Sequence, residues 1–177
     1  MRTDSSQRQP VPELEAREHL WSLIKDIRFA MFTARDMHDG HLHSRPMTTQ
    51  NSKLDEDSSL WFFMSRKSDP VADLQADPAV NVAYADPGAD SYVSITGKAA
   101  VIDDLAMKEH LWNKLAEAWF PQGARDPDLA LVRVRITHAN YWDVKESKVV
   151  QLFKMAKAAM TGVPPRRLGE HAEVRMD

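Results

Sequence analysis

The sequence predicts a mainly β domain with flanking helices (α+β), built on about six antiparallel strands that close, or nearly close, into a barrel. Three observations carry this. Six apolar or alternating segments of strand length are separated by turn residues. The helical patterns between them are short insertions, an arrangement that favours an antiparallel barrel. The chain has 177 residues, with no internal repeat and no linker that splits it, which suits one domain with a full core.

The elements follow in order. Residues 1–11 are rich in Ser, Gln and Pro without apolar periodicity and read as a disordered arm. Pro12 opens a helix, with Leu14, Leu20, Trp21, Leu23, Ile24 and Ile27 near helical spacing. Residues 28–34 read as a buried strand and residues 36–40 as a turn. Residues 41–50 form the returning strand of a hairpin, where Pro46 marks an edge or a bulge. A polar turn over residues 51–58 leads to the apolar strand 59–64. A short helix follows through Val71, Leu74 and Ala76, with Ser68 or Asp69 as N-cap and Pro70 at the first helical position. Residues 80–84 and 91–102 are strands joined by the turn 86–90, and Gly97 is a bend. Asp103 caps a helix expected to run through Leu105, Met107, Leu111, Trp112, Leu115 and Trp119, stopped by Pro121 and Gly123. Residues 129–144 form a long strand, and the tail from Lys148 to Met160 has helical spacing.

Composition narrows the function. The net charge of −3 argues against a dedicated nucleic-acid binder. With no cysteine, thiol catalysis, disulfides, zinc thiolates and iron–sulfur clusters are excluded. No stretch approaches the roughly 20 apolar residues of a membrane span. The first residues lack the apolar segment of a secretory signal, so a cytoplasmic location is expected. There is no G-x-G-x-x-G, P-loop, G-x-S-x-G or H-E-x-x-H motif. A phosphate-bearing cofactor would have to be held by strand-borne side chains.

Two segments suit that task. On a strand, Arg45, Met47 and Thr49 share a face. Arg is a bidentate phosphate ligand, Met a soft apolar wall and Thr a small donor. Ser65-Arg66-Lys67-Ser68-Asp69 lies between a strand and a helix start, where backbone N–H groups attract anions. Taken singly, each segment has an ordinary alternative: a solvated Arg on a strand, or an N-cap beside a basic turn. Residues 60–64 could form a planar wall or plain core, and Trp142 could serve an interface. His41 and His43 share a strand face, but no carboxylate sits at a convincing third position, so no metal site is expected. Residues 148–160, apolar on one face and basic on another, suit packing on the domain or on a second subunit better than a membrane surface.

The ordered set resembles a known family. The strand 28–34, His43-Ser44-Arg45-Pro46-Met47, Leu60-Trp61-Phe62-Phe63, Ser65 and Ser68-Asp69, then Asp77-Pro78 and Val80-Asn81-Val82, is similar to the FMN-binding split β-barrel family, whose relatives include pyridoxamine phosphate oxidase. Tyr141-Trp142-Asp143 and the segment 156–162 look like its general stress protein branch. The resemblance covers residues 15–165 and implies a six-stranded antiparallel split barrel spanning 12–165, with 166–177 as a C-terminal tail. It implies a homodimer holding FMN, FAD or another flavin in the subunit interface. The implied phosphate and ribityl contacts fall on Arg45, Pro46, Met47, Thr48, Thr49 and Gln50, and on Ser65, Lys67, Ser68 and Asp69. The implied ring contacts fall on Met47, Thr48, Thr49, Phe62, Phe63 and Met64, with Trp142 from the other chain. Asp69 and Pro70 stand where the oxidases carry basic residues, which leaves Lys67 or Arg66 to supply that charge. The Arg-x-His-x-Arg segment by which the oxidases bind substrate is missing, which argues against vitamin B6 oxidation. The implied activity is that of a flavin-dependent oxidoreductase on a small substrate. The alternatives are a non-catalytic flavin-binding or flavin-sensing stress protein, a dimer whose groove holds another phosphate ligand or none, and a haem- or deazaflavin-binding barrel. No side chain stands out as a catalytic acid or base.

Overall fold

The computed structural model describes residues 13–143 and 170–175. The arm at 1–11, Pro12 and the helical reading of 148–160 lie outside the described residues.

Helix α1 (Glu13–Ile24) leads into β1 (Ala30–Arg35) and β2 (Leu42–Met47), an antiparallel hairpin. Its turn uses Gly40 at φ 73°, a conformation that glycine adopts without strain. β3 (Ser59–Ser65) and α2 (Asp69–Ala76) follow, then β4 (Ala79–Asp86), β5 (Ser91–Ile102), α3 (Leu105–Leu111), β6 (Leu129–Asp143) and β7 (Glu170–Arg175). The strands lie in the order β2-β1-β4-β5-β6-β3, and every pairing is antiparallel. β2 and β3, at the two ends of this path, meet just past β2. Thr49 bridges Phe62, and the Gln50 N–H donates to the Trp61 carbonyl at 2.8 Å. That contact closes a six-stranded barrel, and it is the narrow side of the closure, since the other strands pair along their lengths. The expectation of an antiparallel barrel holds, and Pro46 falls on β2, whose only ladder among the described residues is with β1.

Alternation fills the interior. Ala30, Phe32 and Ala34 of β1, Val80, Val82 and Tyr84 of β4, and Val132, Val134 and Ile136 of β6 point inward. Leu20 and Ile24 of α1 and Val71 and Leu74 of α2 join the same cluster. β3 is buried on both faces. Leu60, Phe62 and Met64 enter the barrel, while Trp61 and Phe63 form a second cluster with Leu129, Leu131, Ala116 and Phe120. A fully buried aromatic of this kind contributes roughly 1.5–3 kcal/mol.

Three expectations are corrected. The helix after residue 103 ends at Leu111 rather than near Trp119, and its cap is Asp104, whose side chain accepts from Met107 N at 3.0 Å. Asn113 interrupts it: its Oδ1 accepts from the N–H groups of Leu115 and Ala116 and starts a separate 3₁₀ turn over Ala116–Ala118. Ser68 is the N-cap residue of α2, one of the two positions expected, although its side chain makes no cap bond. Its hydroxyl donates instead to the Ser65 carbonyl at 2.6 Å. The segment 166–177, expected as a tail, contains β7, which extends the sheet by pairing with β6 from His138 to Asp143.

Candidate functional site

The closing contact between Thr49 and Phe62 organises the candidate site. Because the contact is antiparallel, moving back from Thr49 to Arg45 and forward from Phe62 to Ser65 are movements in one direction. Along that direction β2 stays with β1, where Arg45 faces Phe32, and β3 stays with β6, where Ser65 faces Leu129. The strands therefore part below the bridge. Arg45 and the turn of residues 65–69 flank the resulting seam, at the same end of the barrel.

β2 sets which of its side chains turn inward. His43, Arg45 and Met47 are half-buried on the side of Phe32, while Leu42, Ser44 and Pro46 are exposed. Met47 packs against the core. The side chain of Arg45 makes no hydrogen bond or ion pair among the described residues, nor do the exposed side chains of Arg66 and Lys67. Three cations at one end of the seam, beside the start of α2, form a surface suited to an anion.

Other expected contacts are already engaged within the chain. Thr49 turns into the barrel, where its hydroxyl lies 2.6 Å from that of Tyr84. Burial raises the Tyr84 pKa far above the ordinary phenol value, with the Thr49 bond opposing weakly, so the phenol stays protonated. Gln50 Nε2 donates to the Thr48 carbonyl and its Oε1 accepts from Asn113 Nδ2 at 2.7 Å. Thr48 remains half-buried at the bend between them. Phe62, Phe63 and Met64 are buried within the two core clusters, so they support the seam from behind. Ser65 Oγ donates to Asp128 Oδ2 at 2.7 Å, and Asp69 is exposed at the first position of α2.

Trp142 is not brought to this seam within one chain. On β6, Leu129 is level with Ser65, whereas Trp142 pairs with Tyr92 near the far end of the strand. At about 3.3 Å per residue the two levels are roughly 40 Å apart along the strand. Trp142, Phe29, Met31 and Tyr92 instead line an apolar recess of about 290 Å³ on the outer face of the sheet. These four side chains are 42–56% exposed.

Sequence spacing missed Asp128 and Tyr84, whose partners lie far away along the chain. It also missed the carboxylates around His43. Asp36 Oδ2 lies 3.6 Å from His43 Nδ1 and Asp39 Oδ2 3.0 Å from Nε2. These three groups form a candidate cation cluster among the described residues. Each carboxylate also holds the hairpin turn, Asp36 accepting from His38 N and Asp39 from His41 N. The hydrogen-bonding reading of the histidines accounts for these contacts.

Comparisons with known proteins bear on the family and the fold. The family described as "Pyridoxamine 5'-phosphate oxidase like" matches residues 15–165. The general stress FMN/FAD binding protein of Xanthomonas citri is 34% identical, with a TM-score of 0.63, over 76% of this chain and 92% of that one. General stress protein 26 of Bacillus subtilis is 26% identical over 64% of this chain and 79% of its own length. Protein bli-3 of Neurospora crassa is 26% identical over 87% of this chain and 77% of its own.

Proposed function

This chain belongs to the pyridoxamine 5'-phosphate oxidase like family, and on that premise we propose that it is a flavin-binding general stress protein that holds FMN at the seam between β2 and β3. The observation that carries this reading is the placing of Arg45, Arg66 and Lys67, without ion-pair partners among the described residues, at the end of the seam where α2 begins. The residues fit a phosphorylated planar group: cations for the phosphate, and Met47 and the backbone around Thr48 for the ring. A bound flavin would supply the redox chemistry, and the protein's part is to bind and orient it. We assign the protein as a flavin-dependent oxidoreductase acting on a small substrate, with non-catalytic flavin binding or sensing as the alternative.

The proposal extends to a homodimer with flavin in the interface. The recess of Phe29, Met31, Tyr92 and Trp142 presents more contiguous apolar side chain than a lone surface residue, and such surfaces mark contacts between molecules. Trp142 then meets the seam only from the second copy.

The test is the absorbance spectrum of the purified protein, followed by mass spectrometry of the released cofactor. Flavin bands with an FMN mass are expected. Arg45→Ala should retain far less flavin than His41→Ala, because His41 lies on the hairpin turn side of β2. Equal retention in the two variants rejects the phosphate assignment, and a colourless protein that takes up no added FMN rejects the whole reading.

A further inference from the structure

The turn that follows β3 is fastened from one residue. Asp128 Oδ2 accepts from Ser65 Oγ at 2.7 Å, its Oδ1 from Lys67 N at 3.2 Å, and its carbonyl from Arg66 N at 2.6 Å. Three consecutive residues are thus tied to the start of β6. Asp128 is itself held: the buried Asp126 accepts from Asp128 N at 2.9 Å and from Gln122 N at 3.2 Å. Neither Arg66 nor Lys67 folds its side chain back onto Asp128 in an ion pair among the described residues. The carboxylate is engaged by hydroxyl and backbone donors, and the Lys67 charge acts on it without an ion-pair contact.

We propose that Asp128 is the positioning residue of the phosphate-binding turn, and that Ser65 serves the phosphate through Asp128 rather than by touching it. The inference rests on the flavin reading above and sharpens it, because it removes one hydroxyl from the set of direct contacts. Two physical points support it. A hydroxyl that already donates its single proton to a carboxylate at 2.7 Å has none left for a phosphate oxygen. A turn whose backbone is fixed beforehand does not have to be ordered when the ligand arrives, and that difference appears as affinity.

The test compares FMN with riboflavin, which has the same ring system without the phosphate. Dissociation constants are measured by flavin fluorescence quenching for the wild type, Ser65→Ala, Asp128→Ala and the double variant. Asp128→Ala removes both side-chain acceptors but keeps the carbonyl that takes Arg66 N, and apo-protein melting curves check that each variant is folded. FMN should bind roughly tenfold more weakly to each single variant. Riboflavin should change by less than about twofold, and the double variant should bind FMN no more weakly than Asp128→Ala alone, as expected for residues acting as one unit. Weakening by Ser65→Ala with Asp128→Ala unchanged or tighter overturns the proposal, because Ser65 then touches the phosphate itself. Equal losses for FMN and riboflavin overturn it too, by making Asp128 a general structural residue. A wild type that binds neither flavin overturns the flavin reading beneath it, and the proposal falls with that reading.

Discussion

The phenol of Tyr84 crosses the barrel interior to the hydroxyl of Thr49, 2.6 Å away. Tyr84 belongs to β4 and is 2% exposed, while Thr49 makes the antiparallel bridge to Phe62 that closes the barrel. One side-chain bond thus joins the middle of the sheet to its closing contact. Tyr84→Phe should cost about 1 kcal/mol, the usual net value of such a bond. Urea unfolding checks this. Thr49→Val combined with Tyr84→Phe should cost less than the sum of the two single changes, and strict additivity would show that the bond contributes nothing.

Gly97 makes a second, steeper prediction. β5 and β6 shift register there: Thr96 faces His138, but Gly97 faces Ile136, leaving Thr137 as the extra residue of a bulge. A Cβ on Gly97 would lie 2.5 Å from the Arg135 carbonyl oxygen and 2.7 Å from Val134 Cγ1. Backbone cannot yield as a flexible side chain does. Gly97→Ala should therefore destabilise by on the order of 3 kcal/mol. A melting temperature equal to that of the wild type would show that the strands are not packed this closely.

Acid should loosen the protein through two carboxylates. The Asp36 pKa is lowered, first by the backbone N–H of His38 and also by the charge of His43. That of Asp128 is lowered, first by the Ser65 hydroxyl and then by the N–H and charge of Lys67. A carboxylate with a depressed folded value adds stability above its ordinary, unfolded value. That stability is lost as pH falls through the folded one. Both groups are only half-buried and still reached by solvent, so each effect is modest. The urea midpoint should fall below the ordinary carboxylate range, and Asp36→Asn and Asp128→Asn should each flatten that fall. An unchanged acid profile in both variants would remove these groups from the account.

Most of the barrel is legible in the sequence because burial writes a period of two. Phe32 and Ala34, Val80 and Val82, and Val132 and Val134 alternate as inward strand residues must. The bend at Gly97 is legible because glycine inside a strand needs a reason. The helix after Asp104 is over-read because its apolar spacing continues past the point where Asn113 diverts the backbone. β7 is missed because Glu170-His171-Ala172-Glu173-Val174-Arg175 has little apolar content to mark it. At the candidate site, the ordered motifs mark stretches of chain but not the commitments within them. That Thr49 serves Tyr84, and that Ser65 serves Asp128, depends on partners brought in from other strands.

The placement of β6 bears on how this chain is made. Among the described residues β3 has its ladder with β6 alone, so Ser59 waits for Arg135 and Ser65 for Leu129. On a ribosome, the apolar run from Leu60 to Met64 emerges with its backbone unpaired along most of its length while β4, β5 and α3 are still being synthesised. Only the arrival of the fifteen residues of β6, which also pair with β5, gives β3 its ladder. Assembly is thereby tied to the last third of the chain, and a nascent chain stalled before residue 129 would expose the most hydrophobic strand to its neighbours.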